Sequence, residues 1–430
     1  MAQYDTLIIG AGAAGLAAGR RLQDAGQTIL LLEARNRIGG RIWTVHDFAD
    51  FPIEQGAELI HGESVVTHQL VQAAGFQTLP APRKAFLQWG GPTGLQRIVD
   101  LPPELRSVVD ALFAAYQALP TKLPAGTDLS LADYFRRAGF DAAAIGMADV
   151  LFAQTCCASI ETLSCADLVR EMRVDHAGLE EFRIREGYDA LLHHYSAGLP
   201  IRLNCPVQAI RWDAQGVAVT TAQDLFTAKQ CILTIPVSLL QAGAITFDPP
   251  LSAAKGAAIA AFRMEAATKL LYRFDEPLWD DALVFAAHNG IAARWWTPGY
   301  GRPGAAVLCC YITADRAAQI DAMPEANALH LGLAEMSRLL GRSDLAARCV
   351  NARRVAWAHD PYTRGGYAHL LPDAAAARPQ LAQPEGNVLF FAGEATAYDT
   401  NPQTVHGAIE SGWRAAREAL YGYPTLCYNQ

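Results

Sequence analysis

The stretch Thr6-Leu7-Ile8-Ile9-Gly10-Ala11-Gly12-Ala13-Ala14-Gly15 decides the fold. Thr6 to Ile9 read as a fully buried strand. Gly10, Gly12 and Gly15 then form G-x-G-x-x-G at the entry to a helix predicted over 13–25 and stopped by Gly26. A second apolar strand, Ile29 to Leu32, ends on Glu33. Each residue type has a physical task. Gly10 permits the tight turn, and Gly12 lets the backbone, Ala14 included, approach a pyrophosphate on the helix N-terminus. Gly15 lets helix and strand pack closely, and Glu33 can accept hydrogen bonds from a ribose. Strand, glycines, helix, second strand and terminal acid stand in the register of a dinucleotide site.

The following residues choose among dinucleotides. Glu33-Ala34-Arg35 runs into Ile38-Gly39-Gly40-Arg41-Ile42-Trp43, a second glycine pair flanked by cations. Arg35 and Arg41 are forked donors suited to pyrophosphate oxygens. This pairing resembles the flavin-containing amine oxidase family, in which G-x-G-x-x-G, E-A-R and G-G-R hold FAD. Near the other end, Val388-Leu-Phe-Phe-Ala-Gly-Glu-Ala-Thr396 and Thr404-Val-His-Gly-Ala-Ile-Glu-Ser-Gly412 are similar to the family's C-terminal flavin motif, most closely that of polyamine oxidases and lysine-specific histone demethylases. The resemblance puts Gly393 and Glu394 at the ribityl or pyrophosphate side. It puts Thr404 and Val405 at a helix N-terminus aimed at the flavin pyrimidine edge, where partial positive charge favours an anion.

Three further segments carry the resemblance into the reacting region. Trp357-Ala-His-Asp-Pro-Tyr-Thr-Arg-Gly-Gly-Tyr367 is similar to the family's W-x-x-D-P-x-x-x-G-x-Y, which makes Tyr367 one wall of an aromatic cage. Gly366 stands where monoamine oxidases carry the cysteine that bonds flavin, so non-covalent FAD is expected. Thr404 aligns with the second cage aromatic and leaves that side open. Lys269, inside the strand pattern Lys269–Phe274, matches the family lysine bridged through water to flavin, and desolvation is expected to depress its pKa. Gly56-Ala57-Glu58-Leu59-Ile60-His61-Gly62 resembles G-A-x-W-I-H-G: the backbone from Gly56 to Leu59 lines the isoalloxazine and His61 faces the amine channel. Val207 matches the valine that meets adenine.

Composition agrees with an enzyme of this kind. Of the 430 residues 51% are hydrophobic, enough for a large core, and the net charge of −8 argues against nucleic acid. The nine cysteines form no C-x-x-C metal or redox pattern and read as thiols in a reducing cytoplasm. No metal is implied. No apolar run reaches about 18 residues, the buried strand starts within a few residues of Met1, and the C-terminus carries no apolar anchor; a soluble cytoplasmic protein is expected.

The fold class expected is α/β: a discontinuous Rossmann-like FAD-binding domain from 1–75, 190–265 and 380–430, with a mixed-sheet and helical substrate-binding domain from 76–189 and 266–379. Helix-period patterns mark Leu105–Leu119 and Leu129–Ala138. Strand patterns mark Ile201–Leu203, Val217–Thr221, Gln230–Ile235, Ala306–Ile312 and Val388–Phe391. The resemblance implies oxidation of an amine at the carbon next to nitrogen, with O2 as acceptor, and a di- or polyamine as substrate. Asp175, Glu180 and Glu181 are candidate partners for its distal charges. An L-amino-acid oxidase would need an arginine for the carboxylate, for which Arg170, Arg173 and Arg183 are candidates. A carbon–carbon desaturase would have no use for Lys269 and Tyr367, and a flavin-binding regulatory protein no need of either.

Overall fold

A computed structural model describes residues 3–83 and 85–422; the C-terminal stretch read above for an anchor lies outside the described residues. Tyr4–Ile9 is the strand that organises the first sheet. Its last three residues, Leu7, Ile8 and Ile9, are apolar and buried, and it pairs in parallel with Ile29–Leu32 on one side and Leu225–Leu233 on the other. Such continuous apolar strands belong in a sheet covered on both faces. Ile201–Arg202 extends the sheet beyond Ile29–Leu32. Leu225–Leu233 also accepts Leu389–Phe391 in parallel and Gly216–Thr221 antiparallel. Three distant parts of the chain thus meet in one sheet of eight strands.

The helix Ala13–Asp24 follows the first strand, with Gly26 at φ +82° beyond its end. It packs on the C-terminal helix Val405–Tyr421 through a close crossing: a Cβ at position 412 would lie 2.2 Å from the Ala14 carbonyl oxygen. Only glycine fits there, and the contact carries the C-terminal motif to the N-terminal one. Leu225–Leu233 begins five residues before the expected strand, because Phe226 and Ala228 point inward while Thr227 and Lys229 do not. That alternating half lacks the continuous apolar signature of its end.

A second, seven-stranded sheet runs in the order Cys349–Ala356, Ala267–Phe274, Val307–Thr313, Arg294–Trp296, Phe285–His288, Leu87–Gly91, Gly94–Arg97. Lys269 stands opposite Tyr311, and Tyr311 opposite Arg294. Directly paired residues share a face, so these three form a row. Helices Pro103–Gln117, Leu131–Arg137, Ala142–Leu151 and Cys165–Val174 share a separate apolar core. Among the described residues no helix is long and apolar enough to cross a membrane.

Candidate active site

A single cavity of about 840 Å³ runs from the glycine turn, past Lys269 and Tyr367, to Asp175 and Glu180. Its inner end is the N-terminal turn. Gly10 has φ +103°, and a Cβ at position 15 would sit 2.0 Å from the Gly10 carbonyl oxygen. By contrast, a Cβ at Gly12 would meet nothing nearer than the Gly39 carbonyl oxygen at 3.8 Å. That space lies at the start of Ala13–Asp24, whose N-cap Gly12 offers no side-chain acceptor. The first amides of the helix are therefore available to an anion.

Glu33 is buried, and its two oxygens accept from Ala11 N at 2.8 Å and Arg35 N at 2.9 Å. Arg35 lines the same cavity. Its guanidinium pairs with Asp360 and donates to Thr363 Oγ1 at 2.7 Å, both in the stretch that begins at Trp357. Arg41 Nη1 donates to Glu394 Oε1 at 2.8 Å and to the Gly366 carbonyl at 2.9 Å, tying together three segments remote in sequence. The other Glu394 oxygen is buried and has no partner among the described residues. It is an acceptor in need of a hydroxyl or amide donor. Thr404 caps the C-terminal helix, accepting from Gly407 N at 3.0 Å. Gly40, Gly56, Ala57, Leu59, Val207, Gly393 and Val405 all line the same cavity. An open glycine cradle, uncapped helix amides and an orphaned acceptor fit the pyrophosphate and hydroxyl groups of a flavin dinucleotide.

Lys269 is buried on Ala267–Phe274, the second strand of the second sheet. Its Nζ donates to Glu58 Oε2 at 2.9 Å and to the Glu54 carbonyl at 2.8 Å. Glu58 Oε1 accepts from Arg183 Nε at 2.8 Å and Trp296 Nε1 at 2.9 Å. The expected depression of the Lys269 pKa is therefore corrected. Burial lowers it, but the attraction of Glu58 and the hydrogen bond to it outweigh burial, and the ammonium is held above its ordinary 10.5. Glu58 was read as a backbone contributor alone. Its side chain instead carries the buried charge, and burial is outweighed there too by Lys269 and Arg183, which hold the carboxyl below 4.5.

Tyr367 donates to the Thr155 carbonyl at 2.8 Å and accepts from Tyr311 Oη at 2.8 Å. Both rings line the cavity. Tyr311 was not foreseen; an aromatic residue opposite Lys269 on a neighbouring strand was the available signal. A Cβ at Gly366 would lie 2.6 Å from both Ala267 Cβ and Cys157 Sγ, so no side chain fits beside the ring. Cys156 also lines the cavity, but burial pushes its thiol up to about 12.

At the mouth, His61 and Glu181 face each other across an antiparallel strand pair, and His61 Nδ1 lies 2.9 Å from Glu181 Oε1. Arg83 Nη2 reaches the same oxygen at 2.8 Å. Burial opposes ionisation of Glu181, yet Arg83 and the His61 hydrogen bond hold its carboxyl down at about 2. Glu181 lines the cavity together with Glu171, Asp175 and Glu180, and its other oxygen is buried without a partner among the described residues. Burial, with Asp167 beside it, raises Glu171 to about 7. The arginines expected for a carboxylate are engaged: Arg170 with Asp167 at 2.8 Å and Arg183 with Glu58, and neither they nor Arg173 are among the lining residues. The sequence reading missed Arg294, which lines the cavity on the Lys269–Tyr311 row.

Cradle, buried lysine and paired tyrosines share one cavity, an arrangement suited to a redox enzyme. Comparison with known families gives the particular kind: residues 13–420 match the flavin-containing amine oxidoreductase family, to which the chain belongs. Polyamine oxidase 4 of Oryza sativa subsp. japonica is 26% identical over 443 residues, covering 96% of this chain and 88% of that protein. The L-amino-acid oxidase of Mus musculus is 28% identical over 460 residues, covering 97% and 71%. The chain spans 52% of the length of a mouse lysine-specific histone demethylase that it also matches. Putrescine oxidase solved with putrescine superposes with a TM-score of 0.83 at 19% identity, over 97% of this chain and 99% of that one.

Proposed function

We propose that the protein is an FAD-dependent oxidase of amines that carry a second cationic nitrogen, the di- and polyamine class. The carrying observation is the continuity of one cavity from the glycine cradle, past Lys269 and Tyr367, to Glu171, Asp175 and Glu180. FAD would lie non-covalently with its pyrophosphate at Gly10, Gly12, Ala14 and Gly15 and its hydroxyl chain near Glu394, held by segments 1–75, 190–265 and 380–430. When bound it supplies the acceptor for a hydride equivalent, after which the imine is hydrolysed and O2 leaves as hydrogen peroxide.

The chain's own residues orient and exclude. Tyr367, fixed through its hydroxyl by Tyr311 and Thr155, presents an electron-rich face to the reacting amine. Lys269 stays protonated beside Glu58 and holds a proton donor next to the reacting atoms. His61 borders the entry, and Glu171 or Asp175 meets the distal ammonium, which is costly to desolvate without a partner. The eight described cysteines are free, which fits a reducing cytoplasm.

The test is peroxide release from the holoprotein with putrescine, spermidine, the diamino acid L-ornithine, benzylamine and L-leucine. Faster turnover of an amine with a second nitrogen is expected. Faster turnover of benzylamine or L-leucine than of every such amine overturns the assignment.

A further inference from the structure

Arg294 is a charge without a counterpart. It stands on Arg294–Trp296, opposite Tyr311, which stands opposite Lys269. Two strand spacings, roughly 9–10 Å, separate it from Lys269 along one face. Its Nη1 is buried with no hydrogen-bond partner among the described residues, and it forms no ion pair among them. The cavity lies directly before it. Burial is the main influence on the guanidinium, and Arg83 adds repulsion; together they lower it to about 10, so it remains charged at neutral pH.

The neighbouring charges do not neutralise it. Glu58 is shared by Lys269 and Arg183. Glu181 attracts Arg294 at longer range, but its ion-pair contacts are with Arg83 and His61. The four charged groups Lys269, Arg183, Arg83 and Arg294 thus stand against the two carboxylates Glu58 and Glu181, with His61 a further partner of Glu181. A buried cation without a counterion is costly, and a purely cationic substrate would add to the cost. A substrate carboxylate removes it, since guanidinium matches a carboxylate in charge and shape.

We infer that Arg294 is a carboxylate subsite, so that the preferred substrate is an amino acid bearing a second amine: carboxylate on Arg294, reacting amine beside Tyr367, distal ammonium toward Glu171. Arg294 and Glu171 both line the cavity, and no ion pair joins them among the described residues. The inference rests on the proposal that an amine is oxidised in this cavity.

Matched pairs test it. L-Ornithine and putrescine differ by the carboxylate alone, as do L-lysine and cadaverine. The wild-type holoenzyme is expected to prefer each amino acid in kcat/KM, and Arg294→Gln to shrink that preference by ~30-fold or more, the size of a lost desolvated charge pair. A preference for the decarboxylated partner in wild type, or an unchanged ratio in R294Q, overturns it. Binding is read separately by flavin absorbance during titration with benzoate and with benzamide. Tighter benzoate binding that R294Q abolishes supports the subsite even if no amine is turned over, an outcome that sinks only the oxidase proposal. Equal binding of the two probes to wild type refutes the subsite itself.

Discussion

Replacing Glu58 with Gln keeps the shape of the side chain but removes the charge that Lys269 and Arg183 share. Glu58 accepts from Lys269 Nζ at 2.9 Å, Arg183 Nε at 2.8 Å and Trp296 Nε1 at 2.9 Å, all buried. Breaking a buried pair typically costs ~3–5 kcal/mol, because the remaining charge is left uncompensated. Here two cations remain, and E58Q is expected to be destabilised by at least ~3 kcal/mol near pH 7.

The pH dependence gives a sharper criterion. In the wild type Lys269 is raised above 10.5, so its contribution is fully present below that pH and is lost only as pH rises through its folded value. Glu58 lies below 4.5, so its contribution is present above 4.5 and lost as pH falls through its folded value. Between these limits the pair adds a constant stability. In E58Q burial acts on Lys269 without Glu58, and its pKa falls below the unfolded value. The folded protein then binds fewer protons than the unfolded one as pH approaches 10.5, and its stability rises with pH. Urea unfolding of both proteins from pH 6 to pH 10, followed by tryptophan fluorescence, should give a difference that narrows toward high pH. A difference below ~0.5 kcal/mol, within the range of ordinary surface substitutions, or one that widens with pH, would refute the account.

Two other outcomes are expected. Lys269→Met should retain flavin yet slow the half-reaction with oxygen by at least ~10-fold, about 1.4 kcal/mol of transition-state stabilisation; unchanged stopped-flow traces would assign the lysine to structure alone. Acid precipitation should release all yellow colour to the supernatant, because position 366 has neither a thiol nor space for one; colour retained in the pellet would mean a covalent link.

The parts of the molecule legible in the sequence are those set by local backbone demands. Gly10 and Gly15 are required by a turn whose φ and whose helix approach exclude a Cβ. Leu7, Ile8 and Ile9 and the strand Ile29–Leu32 declare themselves because strand residues covered on both faces are apolar. Thr404 marks a helix start because its hydroxyl satisfies a free amide. Such requirements act over a few residues, so they leave patterns of fixed spacing.

Partnerships between distant strands leave no such pattern. Glu58 meets Lys269 across 211 residues, and Arg35 turns to Asp360 across 325. Arg294 joins the Lys269 row only through the register of two antiparallel ladders. The sign of the Lys269 shift depends on one such partner, since burial and a buried carboxylate push a lysine in opposite directions and only the folded arrangement sets their balance. The sequence by itself thus determined the glycine turn, the strands beside it and the start of the C-terminal helix, because backbone geometry is locally encoded. Which charges are neutralised and which, like Arg294, face the cavity alone was decided by tertiary structure, because electrostatic interaction depends on distance in space.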